Sequence, residues 1–387
     1  MKKTRKPKLT IIVAVILILS TIALIGCNKK TKSTDIDNIV NNELTDIEDK
    51  KDNNEAIIDN TDGTNEAVID NIDDMNEALD ENDKENMKEK IEINIAALKG
   101  PTGMGMVKLM EEAEAGNTTN DYSFTVAGEA DVISAGLIKG EFDIAAVPCN
   151  LASVLYNKTQ GKIKLAGINT LGVLYIVETG NTINSVEDLK GKTIYSMGYG
   201  TTPQYTLNYL LGLYGLDPEK DVTIEYKTEA TEVAALLENA TDAIAMLPQP
   251  YVTTLMMNND RVRIALDIEK EWTAQNKNNG VVTGVVVVNS EFLKNNPEAV
   301  EEFMNEYEKS ADFVNNDMDK AAELVEKYGL FKAAVAKKAI PYCNITLIRG
   351  QKMKEMAEGY LSILYEQNPN AVGGSMPADD FYIVNED

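Results

Sequence analysis

The chain has 387 residues, with 62 Asp and Glu against 37 Lys and Arg, and no histidine. A formal net charge of −25 argues against a nucleic-acid partner, whose phosphates ask for a basic face. The missing imidazole removes His-based acid–base catalysis, the Ser-His-Asp arrangement and His metal ligands.

The chain starts with a basic head (Lys2, Lys3, Arg5, Lys6, Lys8), and an apolar run follows from Leu9 to Ile25. It ends in Leu24-Ile25-Gly26-Cys27. A basic head, an apolar core and a small residue before the cut describe a secretory signal over 1–26. The other reading is an uncleaved anchor, although the run is near the low end of the ~17–25 residues a span needs. The cysteine directly after the glycine resembles the lipobox of bacterial lipoproteins. That resemblance implies a diacylglycerol on the Cys27 sulfur and places the remainder on the extracytoplasmic face, at a Gram-positive cell surface.

Residues 28–90 hold 20 acidic residues against 8 lysines, with no Pro, aromatic or Cys. Asn54-Glu55-Ala56, Asn65-Glu66-Ala67 and Asn76-Glu77-Ala78 recur at a spacing of 11. An 11-residue period suits a right-handed coiled coil, but apolar positions are too few to offset the entropy of ordering. The expectation for 27–90 is a lipidated cysteine followed by a disordered acidic linker. A flexible chain of that length reaches on the order of 40–45 Å.

Residues 91–387 carry 42 acidic and 24 basic residues, net −18. A stretch of this length exceeds a comfortable single core, so two lobes are expected. Only Cys149 and Cys343 remain there. A disulfide between them is one outcome, and two buried thiols are the commoner one.

One phrase occurs twice. "IEINIAALKGPTGMGMVKLM" (91–110) reads strand, Gly-rich turn, helix, and so does "KTIYSMGYGTTPQYTLNYLL" (192–211). Downstream of each comes a helix, an aspartate (Asp143, Asp242), an apolar strand and a proline (Pro148, Pro248). The strands 144–147 and 243–247 are continuously apolar, as in buried parallel sheets. Two copies of one unit predict two similar α/β lobes. Ligands in such sheets bind beyond the carboxyl ends of the strands. The loops at 100–105, 148–150, 198–203 and 248–250 are therefore expected to converge on one cleft.

The segment "SVEDLKGKTIYSMGYGTTPQYTLNYLLGLYGLDPEKDVTIEY", with "EVAALLENATDAIAMLPQPY" after it, resembles extracytoplasmic solute-binding proteins of ABC importers. It is most similar to the group serving nitrate, sulfonates, taurine and thiamine-pyrimidine precursors. The likeness runs over roughly 91–345. It implies a type II periplasmic-binding-protein fold: two α/β lobes joined by two hinge strands and closing by hinge bending. Mapped here, lobe 1 is 91–177 plus 285–387 and lobe 2 is 178–284. The hinge strands are "GVLYIVE" (172–178) and "TGVVVVNS" (283–290), and the tail helices pack back on lobe 1. The resemblance further implies a monomer that passes a small solute to a permease and its ATPase, with no cofactor and no metal.

Several residues stand where they could touch a solute. Thr102, Gly103 and Met104 offer backbone donors and a soft apolar contact, or simply a turn and a cap. Gly200, Thr201 and Thr202 offer the same from lobe 2. Asn150, Asn169 and Thr170 lie at strand ends, where an amide either discriminates a ligand or stabilises a turn. Gln249 stands between two prolines. Tyr199 either stacks on a planar ligand or decorates its loop. Tyr342 and Asn344 lie where the resemblance implies a late cleft contact. For Trp272, the single tryptophan, core packing is the favoured reading.

Beyond residue 26, the only arginines are Arg261, Arg263 and Arg349, none of them in the four loops. A bidentate clamp on an oxyanion is therefore not expected, and an uncharged planar solute held by Tyr, Met and amides fits better. Two rivals differ in class. An enzyme finds no grouped carboxylates, and a tethered sensor or adhesin without transport shares every surface feature.

Overall fold

The computed structural model describes residues 89–276 and 279–384. The signal, Cys27 and the acidic linker lie outside these residues, apart from Glu89 and Lys90. The chain begins with β1 (Glu92–Leu98), α1 (Pro101–Met104), α2 (Val107–Glu114), β2 (Asp121–Ala127), α3 (Ala130–Lys139), β3 (Ile144–Pro148), α4 (Cys149–Thr159) and β4 (Ile163–Thr170). A second series follows: β5 (Leu174–Glu178), β6 (Thr193–Met197), α5 (Thr202–Leu213), β7 (Thr223–Lys227), α6 (Ala230–Asn239), β8 (Ile244–Pro248), α7 (Tyr251–Asn258), β9 (Arg263–Asp267) and α8 (Ile268–Gln275). The chain then returns through β10 (Gly284–Asn289), α9 (Ser290–Asn295), α10 (Pro297–Asn316), α11 (Met318–Lys327), α12 (Ala333–Ala339), β11 (Ile345–Ile348) and α13 (Gly350–Gln367).

Two sheets result, in the orders β11-β4-β10-β3-β1-β2 and β7-β6-β8-β5-β9. In each, the repeated phrase gives a parallel trio, with β1 between β2 and β3 and β6 between β7 and β8. One strand from the opposite direction then pairs antiparallel with the third member, β10 with β3 and β5 with β8. The continuously apolar strands β3 and β8 sit inside their sheets and are buried from Ile144 to Val147 and from Ile244 to Leu247. Helices cover both faces, which is why these strands do not alternate.

The chain passes between sheets at 171–173 and again at 279–283. Residues 174–177, assigned from the sequence to the first lobe, pair in the second sheet as part of β5. Both apolar segments read as hinge strands are thus ordinary sheet members, and the crossings are the short irregular pieces beside them. The tail helices pack on the first lobe, and α13 also reaches the second. Helices α10, α11 and α12 pack on the first sheet, with Phe303, Tyr307, Val325 and Ala336 in one core. Helix α13 lies against both lobes. Its Tyr360 hydroxyl is 3.3 Å from Thr206 on α5, and its ring is 6.1 Å from that of Trp272 on α8. Trp272 is fully buried there, as core packing required. Cys149 and Cys343 are free and buried, and burial pushes both thiols up to about 12.

Most ion pairs join exposed side chains and contribute little. The exception is Glu178 at the far end of β5, whose side chain is 1% exposed. It accepts the N–H groups of Thr182 at 3.1 Å and Ile183 at 3.2 Å, and it pairs with Arg263. Burial pushes its carboxyl up, but the amides of Thr182 and Ile183, the Thr182 hydroxyl and the Arg263 guanidinium outweigh that and hold it below the usual range. Its contribution is therefore present above the ordinary value of 4.5 and lost as the pH falls below it. Glu178→Ala is expected to cost about 3 kcal/mol, the low end for breaking a buried pair because Arg263 keeps some water contact. In urea titrations the gap between variant and parent should narrow in acid, and an unchanged gap would contradict the assignment.

Candidate functional site

The carboxyl ends of the strands form two rims. In the first sheet, pairing registers Gly284 with both Pro148 and Thr170, and Thr170 with Ile345. In the second, Pro248 is registered with Leu174. The residue after each proline then donates its backbone N–H to the crossing that passes it. Cys149 donates to the Thr283 carbonyl at 3.1 Å, and Gln249 donates to the Val173 carbonyl at 2.9 Å. The repeated aspartate–strand–proline phrase thus ends in the same bond in both lobes, and each rim is fastened to a crossing.

On the first rim three candidates interlock. The Asn169 amide nitrogen donates to the Thr102 carbonyl at 3.0 Å, and the Thr170 hydroxyl donates to the Asn169 side-chain oxygen at 3.2 Å. All three are buried. A Cβ at Gly284 would stand 2.6 Å from the Asn169 oxygen and 3.0 Å from Thr102, so the glycine is there to admit this brace. Tyr342 and Asn344 join the crossing itself. The Tyr342 carbonyl accepts the Tyr175 hydroxyl at 2.8 Å, and the Asn344 carbonyl accepts the Leu171 N–H at 3.1 Å. The Tyr342 ring stands edge-on to Tyr175 and remains substantially exposed.

Gln249 is 2% exposed. Its side-chain oxygen accepts the Thr253 hydroxyl at 2.8 Å. The same amide's nitrogen is buried and has no partner. A buried donor held in place yet unpaired is costly, about 1–3 kcal/mol, unless something else accepts its hydrogen bond.

The remaining candidates are placed differently. The N–H groups of Gly103 and Met104 both reach the Gly100 carbonyl at 3.1 Å, so they are spent inside their own turn. A Cβ at Gly103 would meet the Leu98 carbonyl at 2.8 Å. That glycine answers a packing demand, and Met104 is fully buried in the first-lobe core. The first Gly-rich turn is thus a short helix, α1, rather than an open loop. In the second turn, Thr201 N–H and Oγ1 bind the Gly198 carbonyl at 3.0 and 2.6 Å, and the Gly200 N–H reaches Gln204 at 2.6 Å. Tyr199 is 75% exposed and edge-on to Tyr226. Thr202 opens α5, half-buried. Asn150 turns toward the Ala371 carbonyl at 3.4 Å. The structure therefore gathers Thr102, Asn169, Thr170, Gln249, Tyr342 and Asn344 on the rims and crossings. The Thr201 N–H and hydroxyl and the Gly200 N–H are engaged by the turn and by the start of α5.

Sequence reasoning missed Tyr175, Thr253 and the Tyr205–Asn368 bond of 2.7 Å that ties α5 to the tail. No local motif marks any of them. Contacts of α7 with α12 and of α5 with α13 draw the lobes together. A cavity of about 1000 Å³ opens beside the crossings at Leu171, Glu269, Thr273 and Asn279. Two smaller ones lie on the outer surface of the first lobe, near Ser310 and near Tyr328.

Residues 161–321 match the family described as NMT1/THI5 like. The fold is that of a periplasmic binding protein. The chain is similar to an ABC transporter structure from Parabacteroides distasonis, with 26% identity, a TM-score of 0.64, and coverage of 76% of this chain and 98% of that one. It shares the fold of the periplasmic aliphatic sulphonate binding protein SsuA from Escherichia coli, at 15% identity, TM-score 0.61, and 74% and 96% coverage. It also shares that of the periplasmic nitrate-binding protein NrtA from Synechocystis PCC 6803, at 12% identity, TM-score 0.52, and 72% and 82% coverage. These agree with the group to which the repeated phrase pointed. No curated relative matches the sequence.

Gly284→Ala is expected to push Asn169 away from Thr102 and to cost about 1–3 kcal/mol by overpacking. Thermal denaturation checks this, and a neutral substitution would show that the rim brace is not tight.

Proposed function

We propose that the protein is the solute-binding component of an ABC importer. It captures a small organic solute between its two lobes and delivers it to a permease and ATPase. The observation that carries this reading is the Gln249 side chain. It sits buried on the second rim beside a crossing, its oxygen fixed by Thr253 and its nitrogen free to donate. A solute atom that accepts this hydrogen bond completes the set. On this proposal Thr102, Asn169, Thr170, Tyr342 and Asn344 contribute from the first lobe, and Tyr199, Gly200, Thr201 and Thr202 from the turn before α5.

The three arginines of the described residues favour a neutral solute over an oxyanion. Arg261 binds the Glu238 carbonyl, Arg263 pairs with Glu178, and Arg349 pairs with Glu301. None is left for a bidentate clamp. Relatives named for sulphonate and nitrate share the fold at low identity, which leaves the solute of this chain open to its own site chemistry. A planar heterocycle carrying a carbonyl or ring-nitrogen acceptor suits a fixed amide donor. On this proposal the chain acts as a monomer, anchored by lipid on Cys27 and lifted from the membrane by residues 28–90.

Mass spectrometry of small molecules released from the purified protein identifies the solute directly. Isothermal titration with aminopyrimidines and with taurine then ranks the two classes. Gln249→Leu is expected to weaken binding of the released solute about 10-fold or more, the worth of one buried hydrogen bond, without loss of fold. Tight taurine binding with no response to pyrimidines would overturn the neutral-solute reading, and full affinity in the Leu variant would remove Gln249 from the site.

A further inference from the structure

The end of the chain bonds to elements of both lobes. Helix α13 ends at Gln367, and a 3₁₀ turn, Pro369–Val372, follows with Asn368 at the junction. On the first-lobe side, Ser153 and Asn157 of α4 donate to the Val372 carbonyl at 2.7 and 2.9 Å, and Asn150 reaches the Ala371 carbonyl at 3.4 Å. On the second-lobe side, the Gln367 side-chain amide donates to the Tyr205 carbonyl at 3.0 Å, and that of Asn368 donates to the Tyr205 hydroxyl at 2.7 Å. The same hydroxyl donates to the Gly200 carbonyl at 2.9 Å. The segment 367–372 is therefore bonded to α4 of the first lobe and, through one phenol, to the turn before α5 of the second.

Chemistry fixes the direction of each bond. A carbonyl only accepts, so Tyr205 gives its one hydroxyl proton to Gly200 and accepts from Asn368 through its lone pairs. The Asn368 amide is held the right way round, because its oxygen already accepts the Asn370 N–H at 3.1 Å. Tyr205 is 7% exposed, and a buried hydroxyl depends on its protein partners. The turn it grips has few other restraints. Gly198 and Gly200 both take the left-handed region and bring no side chain to pack. The bonds of the turn to Gly198 and Gln204 are local, whereas Asn368 brings in the far end of the chain.

We propose that Tyr205 is a positioning residue: through it, the 367–372 segment acts as a strap that holds the 198–202 turn of the second lobe in place from α4 of the first. This deepens the solute-capture reading and rests on it for the contact of the turn with solute. The strap itself needs no solute. Asn368→Asp is the diagnostic change. A carboxylate keeps the shape of the amide and still accepts from Asn370, but it cannot donate. Tyr205 then turns its proton to the carboxylate, because a charge-assisted bond is stronger than one to a neutral carbonyl. Gly200 is released although nothing near it in sequence has changed.

Hydrogen exchange of the full chain in detergent, read by mass spectrometry over residues 198–204 with no solute added, tests this. Asn368→Asp and Tyr205→Phe are each expected to speed exchange of the Gly200 and Thr201 amides about tenfold, the worth of one hydrogen bond. The peptide over β8 should exchange as in the parent. The double variant should be no faster than Tyr205→Phe alone, because both changes break one relay. If Tyr205→Phe fails to fold, which the β8 peptide reports, Asn368→Asp decides. Parental exchange of the turn in Asn368→Asp, or additive effects in the double variant, overturns the proposal. Titration with the solute that mass spectrometry identifies then reads the consequence for capture, and Asn368→Asp should weaken binding by up to about tenfold. Faster exchange with unchanged affinity keeps the strap and overturns the part of the turn in solute binding. Failure of capture itself is read separately, from Gln249→Leu.

Discussion

Two backbone hydrogen bonds organise this molecule, Cys149 N–H to Thr283 and Gln249 N–H to Val173. Each joins the end of a central parallel strand to the segment that leaves or enters the other lobe. Because the donors follow prolines that end β3 and β8, sheet register and crossing position are set together. A rim residue cannot shift without moving a crossing. The same constraint explains why glycines cluster here. Gly172, Gly280 and Gly284 each stand where an added Cβ would strike a polar side chain within 3 Å.

Much of this architecture is legible in the sequence, because the α/β unit is written twice. Apolar runs ending in Pro148 and Pro248, each preceded by an aspartate and a helix, specify buried parallel strands and their polarity. What pattern cannot supply is the destination of side chains and amides. Glycines at a strand-to-helix turn read as a ligand cradle, yet Gly103 is required by the Leu98 carbonyl, and the amides beside it close on Gly100. Met104 fits a soft ligand contact or a core equally well in one dimension, and only the packing of α10 to α12 decides it. The first crossing lies earlier than expected for a related reason. The β-branched richness of 172–178 marks a strand but carries no information about which sheet it joins.

Glu269 and Tyr175 were invisible for another cause. Their contacts come from residues distant in sequence meeting at the crossings: Val281 and Gly172 around the carboxyl, and Tyr342 beyond the phenol. Two acidic side chains of the described residues stand apart from the exposed ones. Glu178 is buried and Glu269 part-buried, and their carboxyls are shifted in opposite directions. Glu178 has two amides, a hydroxyl and a guanidinium, and stays ionised. Glu269 has two amides and a nearby aspartate, and is pushed the other way.

The unpaired Gln249 nitrogen gives the proposed capture a physical reason to be conditional. In open lobes water accepts its hydrogen bond at no cost. In closed, empty lobes the donor is stranded, at about 1–3 kcal/mol. A solute with an acceptor removes that penalty only in the closed state, so the difference in free energy between states, which alone can shift a population, is built into one side chain. Fixing the amide oxygen on Thr253 sharpens the effect, because the nitrogen cannot rotate away to find another partner. An anion would gain from the same donor but would meet a strongly acidic chain with its arginines already engaged, and so would lose at long range what it gains at contact.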